Sequence, residues 1–130
     1  MSEDLGKLAL RLGLGGLVLF HGVYKLLNGL DPVKSLLASY NMSETLAYGI
    51  YLGELIAPLL IILGLFSRLG GLLIAANMVA AVLLAGLANL LVISPGGGYA
   101  LEMEVMYFAA ALAVTLFGAG RFSIGGGRWN

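Results

Sequence analysis

The sequence predicts an all-α integral membrane protein, a bundle of four transmembrane helices with a short amphipathic helix in its first outer loop. Composition, the length of the apolar stretches and the turn chemistry between them carry that prediction. Of 130 residues 60% are hydrophobic and only 11% charged, whereas a water-soluble domain carries about 25% charged residues to cover its surface. Lipid rather than water is therefore the main solvent, and a chain this short makes one domain, residues 1–130.

Four apolar stretches stand out: Leu5 to Leu27, Thr45 to Leu65, Leu69 to Val92 and Tyr99 to Phe117. At 1.5 Å per residue they give roughly 28 to 36 Å of helix, enough for a hydrocarbon layer of about 30 Å. The first follows Lys7 and Arg11 as a signal peptide might, but its apolar run outlasts a signal's core and no A-x-A site follows. It is read as a retained helix. Asp31-Pro32 is an N-cap followed by proline, and Val33, Leu36, Leu37 and Tyr40 repeat at helical spacing behind it, the pattern of an amphipathic helix on the outer leaflet. Phe66-Ser67-Arg68 makes a tight inner turn, so the second and third helices run antiparallel as neighbours. Ser94-Pro95-Gly96-Gly97-Gly98 is an outer turn, and residues 118–130 form a glycine-rich polar tail. Gly49 and Gly53 form a GxxxG pair, which predicts a helix–helix contact within the bundle or between copies.

Orientation follows from the basic residues. Lys7, Arg11, Arg68, Arg121 and Arg128 fall on one side of a four-pass topology, against Lys25 and Lys34 on the other. The excess places both termini on the cytoplasmic side. Seven basic and seven acidic residues leave no net charge, so nothing points to nucleic acid. The chain lacks cysteine and has one histidine, which removes thiol relays, thiolate metal sites and a bis-histidine haem site within one copy. No phosphate-binding glycine loop, flavin signature or metal-ligand cluster is present.

Ionisable residues at membrane depth cost about 2.5 to 3.5 kcal/mol each on insertion scales, so each needs a reason. His21 and Lys25 are spaced i, i+4 with Tyr24 beside them, His21 roughly 9 Å inside the outer end of its helix and Lys25 near enough to that end to snorkel. Glu54 lies four residues before Pro58, which has no N–H to offer the Glu54 carbonyl, so a kink is expected there. Tyr51 shares the Glu54 stripe. Glu102 and Glu104 open the fourth helix about 200° apart, so at most one faces the bundle. Asn77 and Asn89 read as interhelical hydrogen-bonding groups. Depth alone groups His21 with Glu54, and Lys25 with Glu102 and Glu104, in an outward-opening polar pocket. A carboxylate would favour charged His21, and desolvation would resist ionisation of Glu54.

Arg11-Leu12 followed by His21-Gly22-Val23-Tyr24-Lys25-Leu26, then Glu54, Leu63-Gly64-Leu65-Phe66-Ser67-Arg68 and Gly118-Ala119-Gly120-Arg121-Phe122-Ser123, together resemble the DoxX family of small four-helix membrane proteins. The likeness runs through nearly the whole chain. It departs from the family pattern at Ala119, where a proline is usual. The resemblance implies a cytoplasmic-membrane protein, with some relatives linked to thiosulfate:quinone oxidoreductases or other membrane oxidoreductase complexes, and it favours Glu102 over Glu104 as the helix-four acid.

The function expected is a membrane subunit of a redox complex that binds a quinone-type carrier and is not catalytic alone. His21 and Glu54 would bond the carbonyls and move protons, Tyr24, Lys25, Tyr51 and Glu102 or Glu104 would line the site, and a soluble oxidoreductase partner would supply electrons. Two other classes are open: a non-enzymatic membrane scaffold or assembly factor, and a small proton-coupled transporter working as a homodimer. The absence of convincing similarity between helices one-two and three-four disfavours transport.

Overall fold

A computed structural model describes residues 1–130, the side chain of Ala85 excepted. The chain is helical: α1 is Ser2–Asn28, α2 is Asp31–Ser39, α3 runs through Glu44–Leu63, α4 is Ser67–Ala81, and α5 is Glu102–Phe117. One isolated bridge, Ile93 to Tyr99, is the only extended pairing among the described residues. Three helical runs are long and apolar enough to cross a membrane: Ser2–Asn28, Glu44–Leu63 and Ser67–Leu84.

Several boundaries differ from the sequence expectation, each for a local reason. Helix α1 begins at Ser2, because Glu3 and Asp4 stand in its first turn, where the helix dipole favours acids. In α2 the N-cap is Leu30 rather than Asp31, which is the first helical residue, with Pro32 just behind it. Beyond Ala81 the third apolar stretch loosens into a π-turn, Val82–Gly86, and a 3-10 turn, Leu87–Asn89, and does not continue as helix to Val92. Helix α5 begins only at Glu102, since Tyr99 and Ala100 are held by the turn that precedes it, where Ala100 donates to the Val92 carbonyl at 3.0 Å. Its 16 residues give about 24 Å of helix.

One cluster of buried residues joins the four long helices: Leu14 and Val18 from α1, Ala57 and Ile61 from α3, Ile74 and Ala75 from α4, Ala111 and Val114 from α5. Between helices in lipid, close packing and polar contacts replace the hydrophobic effect as the source of cohesion. Gly64 closes α3 in the left-handed region at φ 75°, and its N–H and that of Leu65 both reach the Leu60 carbonyl at 2.9 Å. This makes the tight reversal into α4 that Phe66-Ser67-Arg68 predicts.

The end of the molecule that carries both termini is fastened by two arginines. Arg11 is buried, and its guanidinium donates to the carbonyls of Ile61 (2.7 Å), Ile62 (3.2 Å), Ala119 (2.8 Å) and Phe122 (2.7 Å). Two of those acceptors belong to the last turn of α3, whose carbonyls have no helical donor. Arg68 does the same for α5, donating to Thr115 and Leu116 at 3.1 and 2.9 Å. The glycine-rich segment after Gly118 folds back over this end. Ile124 and Gly125 donate to Leu63 and Gly64, and Arg68 donates its N–H to Trp129.

At the opposite end α2 lies against the start of α3. Leu30, Leu37 and Ala47 make a second small core there, and Lys34 donates to the Tyr48 hydroxyl at 3.1 Å. That hydrogen bond, helped by Asp31 and Glu44, raises the Lys34 pKa above the usual lysine value. Above the range where Asp31 and Glu44 ionise, the contribution is full below the ordinary lysine pKa and is lost as pH rises through the raised value.

Candidate functional site

The site is built where α1 and α3 cross. Along α1 the residues Arg11, Gly15, Val18, Gly22 and Lys25 fall at helical spacing on one stripe, and all but half-buried Lys25 are buried. Gly22 is required there: a Cβ on it would lie 2.1 Å from the Glu54 carbonyl oxygen. The two backbones therefore touch at the residue that bears the membrane-depth carboxylate. Pro58 cannot donate to Glu54, and α3 responds not with a simple kink but with a π-turn over Leu52–Ile56, in which the Ala57 N–H reaches back to the Leu52 carbonyl.

Glu54 is taken up by Lys25. The ammonium lies 2.9 Å from Oε1 and 2.6 Å from Oε2, with the side chains 5% exposed for Glu54 and 29% for Lys25. Lys25 is thus the direct partner of Glu54 and not only the rim of a pocket, because the i, i+4 step from His21 brings it to the depth of the π-turn. The Tyr51 hydroxyl donates a long hydrogen bond, 3.4 Å, to the Lys25 carbonyl. His21 is half-buried and meets Tyr107 of α5 edge-on, ring centroids 6.1 Å apart at 77°, and no hydrogen bond joins it to Glu54 among the described residues. Tyr24 is 67% exposed and points away from the bundle. Of the two helix-four acids Glu102 is exposed and Glu104 half-buried, so the inward one is Glu104, the reverse of the preference drawn from the resemblance. The structure therefore joins Lys25, Glu54 and Tyr51, sets His21 beside Tyr107, and leaves Tyr24 and Glu102 outside.

A cavity of about 680 Å³ opens on another face of α3, between α2, α3 and α4. Its walls are apolar, among them Leu37, Ile50, Leu73 and Leu84, and its polar groups are few: the Asn77 carboxamide and the Tyr40 hydroxyl, the latter bonded to the Leu84 carbonyl at 3.3 Å. Gly53 packs on Asn77 so closely that a Cβ would stand 2.6 Å from the Asn77 Cβ, while Gly49 has nothing within 4 Å of the corresponding position. Only Gly53 of the GxxxG pair is at a helix contact. Gly49 lines the cavity.

Sequence reasoning missed Tyr107, Asn77 as a cavity group, and Arg11 as a buried hub. For Arg11 the signal was present, since it shares the stripe of Gly15 and Gly22. Nothing in the local pattern foretold that four carbonyls from two distant segments would converge on it.

No group of three or more acidic or histidine side chains among the described residues could hold a metal ion. No curated protein and no solved structure is detectably similar to the chain. Residues 6–87, the part that contains Arg11, His21, Lys25, Glu54 and Asn77, match DoxX, and the chain belongs to the DoxX family of membrane proteins.

Proposed function

We propose that this chain is the membrane-embedded, non-catalytic subunit of an oxidoreductase complex, and that it holds a quinone-type, lipid-soluble carrier in the cavity between α2, α3 and α4. In this reading all four long helices cross a cytoplasmic membrane with both termini inside, and α2 rests on the outer leaflet. External labelling of a cysteine placed at Arg128 would reverse that orientation.

The observation that carries the proposal is the cavity itself: about 680 Å³, within the range of small-molecule sites, apolar on nearly every side, with a carboxamide that has no hydrogen-bond partner among the described residues. An isoprenoid body matches the apolar walls, and the Asn77 amide can donate to a quinone carbonyl. Glu54 and Lys25 act as positioning residues here. Both Glu54 oxygens are engaged, which fixes the π-turn whose first residues, Leu52 and Gly53, line the cavity. A bound quinone would accept electrons and protons delivered by a soluble partner.

Extraction of the purified protein followed by mass spectrometry tests the proposal. Wild type should release quinone, and Ala80→Phe, which fills the cavity without touching the ion pair, should release none while remaining folded. Equal recovery from both would refute the site. The scaffold reading has its own support in the engaged Glu54–Lys25 pair and outward Tyr24, and it would lead if wild type and variant alike carried no quinone and restored complex assembly equally.

A further inference from the structure

A second cavity, which adjoins the first at Leu83, holds a carboxylate that the reading above does not use. Glu104, Val105 and Phe108 of α5 face Met78 and Val79 of α4, and Val82 and Leu83 of the π-turn beyond it, across a space of about 230 Å³. Glu104 and Phe108 are i, i+4, so the carboxylate and the aromatic ring stand one above the other on the same helix face. Every other side chain that lines this space is apolar. No lysine, arginine or histidine forms a salt bridge with Glu104 among the described residues, where the one ion pair is Lys25 with Glu54.

A carboxylate walled by apolar side chains, with no basic side chain against it, is open to a cation from outside. Glu104 stands in the first turn of α5. A second cation-attracting group is present in the Phe108 ring, whose face draws an ammonium at short range, and Met78 adds a polarisable sulfur. The volume falls short of a drug-sized site, so it suits a compact charged head whose apolar remainder continues along the groove. No basic side chain lines the space to balance a phosphate. From charge complementarity and size together we infer that this cavity is a binding site for a primary ammonium on an apolar body: Glu104 takes the charge, and Phe108 and Met78 take the flank.

The test uses the full chain in an uncharged maltoside detergent, with 2-phenylethylamine as the probe and 2-phenylethanol as its neutral counterpart, binding followed by ligand-observed NMR. Wild type should bind the amine saturably and the alcohol about ten-fold or more weakly, the worth of a hydrogen bond to a charged group. Glu104→Gln should lose the amine by a similar factor, and Glu102→Gln, whose side chain is outside the cavity, should not. Phe108→Leu should weaken the amine a few-fold and leave the alcohol nearly unchanged. Displacement of the probe by added phosphatidylethanolamine would identify a lipid headgroup as the source of the ammonium, and its persistence a free amine. Either supports the site. No saturable binding, equal binding of amine and alcohol by wild type, or an unchanged affinity in a folded Glu104→Gln variant would overturn the inference. The wild-type comparison of amine with alcohol decides the matter even if Glu104→Gln does not fold.

Discussion

Removing either member of the Lys25–Glu54 pair should destabilise the protein, and by unequal amounts. Taking away one partner of a buried pair costs about 3–5 kcal/mol, chiefly because the other charge is left without compensation. Glu54 is nearly fully buried and its partner is 29% exposed at the side chain, so the two orphaned charges have different escapes. After Glu54→Gln the lysine can swing its ammonium toward the headgroups, which lowers the cost to about 1–2 kcal/mol. After Lys25→Met the buried carboxylate has no such route, so the cost stays near 3 kcal/mol. The double variant leaves no orphan and should lose less than the sum, with a coupling energy of about 2–3 kcal/mol. Equilibrium unfolding in mixed detergent micelles measures all four corners of the cycle. Additivity within about 0.5 kcal/mol, or a larger loss in Glu54→Gln than in Lys25→Met, would refute the reasoning from burial.

Two further outcomes follow from the packing. Arg11→Met keeps most of the volume but abandons four carbonyls, so stability should fall by about 3–5 kcal/mol and residues 118–130 should become sensitive to protease; an unchanged melting temperature with a protected C-terminal segment would contradict the hub. Gly22→Ala places a methyl group on the Glu54 carbonyl and must push α1 from α3, costing about 1–3 kcal/mol, whereas Gly16→Ala meets nothing within 4 Å and should be neutral or slightly stabilising in thermal melts.

Much of the fold is legible in the sequence. Span-length apolar runs dictate helices, because a backbone in hydrocarbon must satisfy its own hydrogen bonds, and the α3–α4 reversal was written in Phe66-Ser67-Arg68. The ends of the third and fourth helices were not, since apolar composition continues through Leu90 to Val92 while the backbone turns away to hydrogen-bond across Ser94 and Gly98. Hydropathy cannot see a turn made of apolar residues.

The sequence by itself determined which residues needed an explanation: His21, Lys25, Glu54 and the two acids of α5 are costly at their depth wherever they point. Tertiary structure alone decided how each cost is met. Depth along a helix follows from counting residues, but azimuth about a helix interrupted by a π-turn does not, because the extra residue in that turn rotates everything beyond it. Only the packed helices pair Glu54 with Lys25, set His21 against Tyr107, and bring Gly53 onto Asn77 beside the cavity. Arg11 shows the same limit from the other side. A cation near a chain terminus counts as a topological signal in the sequence, and only the return of Ala119 and Phe122 to the end of α3 makes it the buried centre of that end of the molecule.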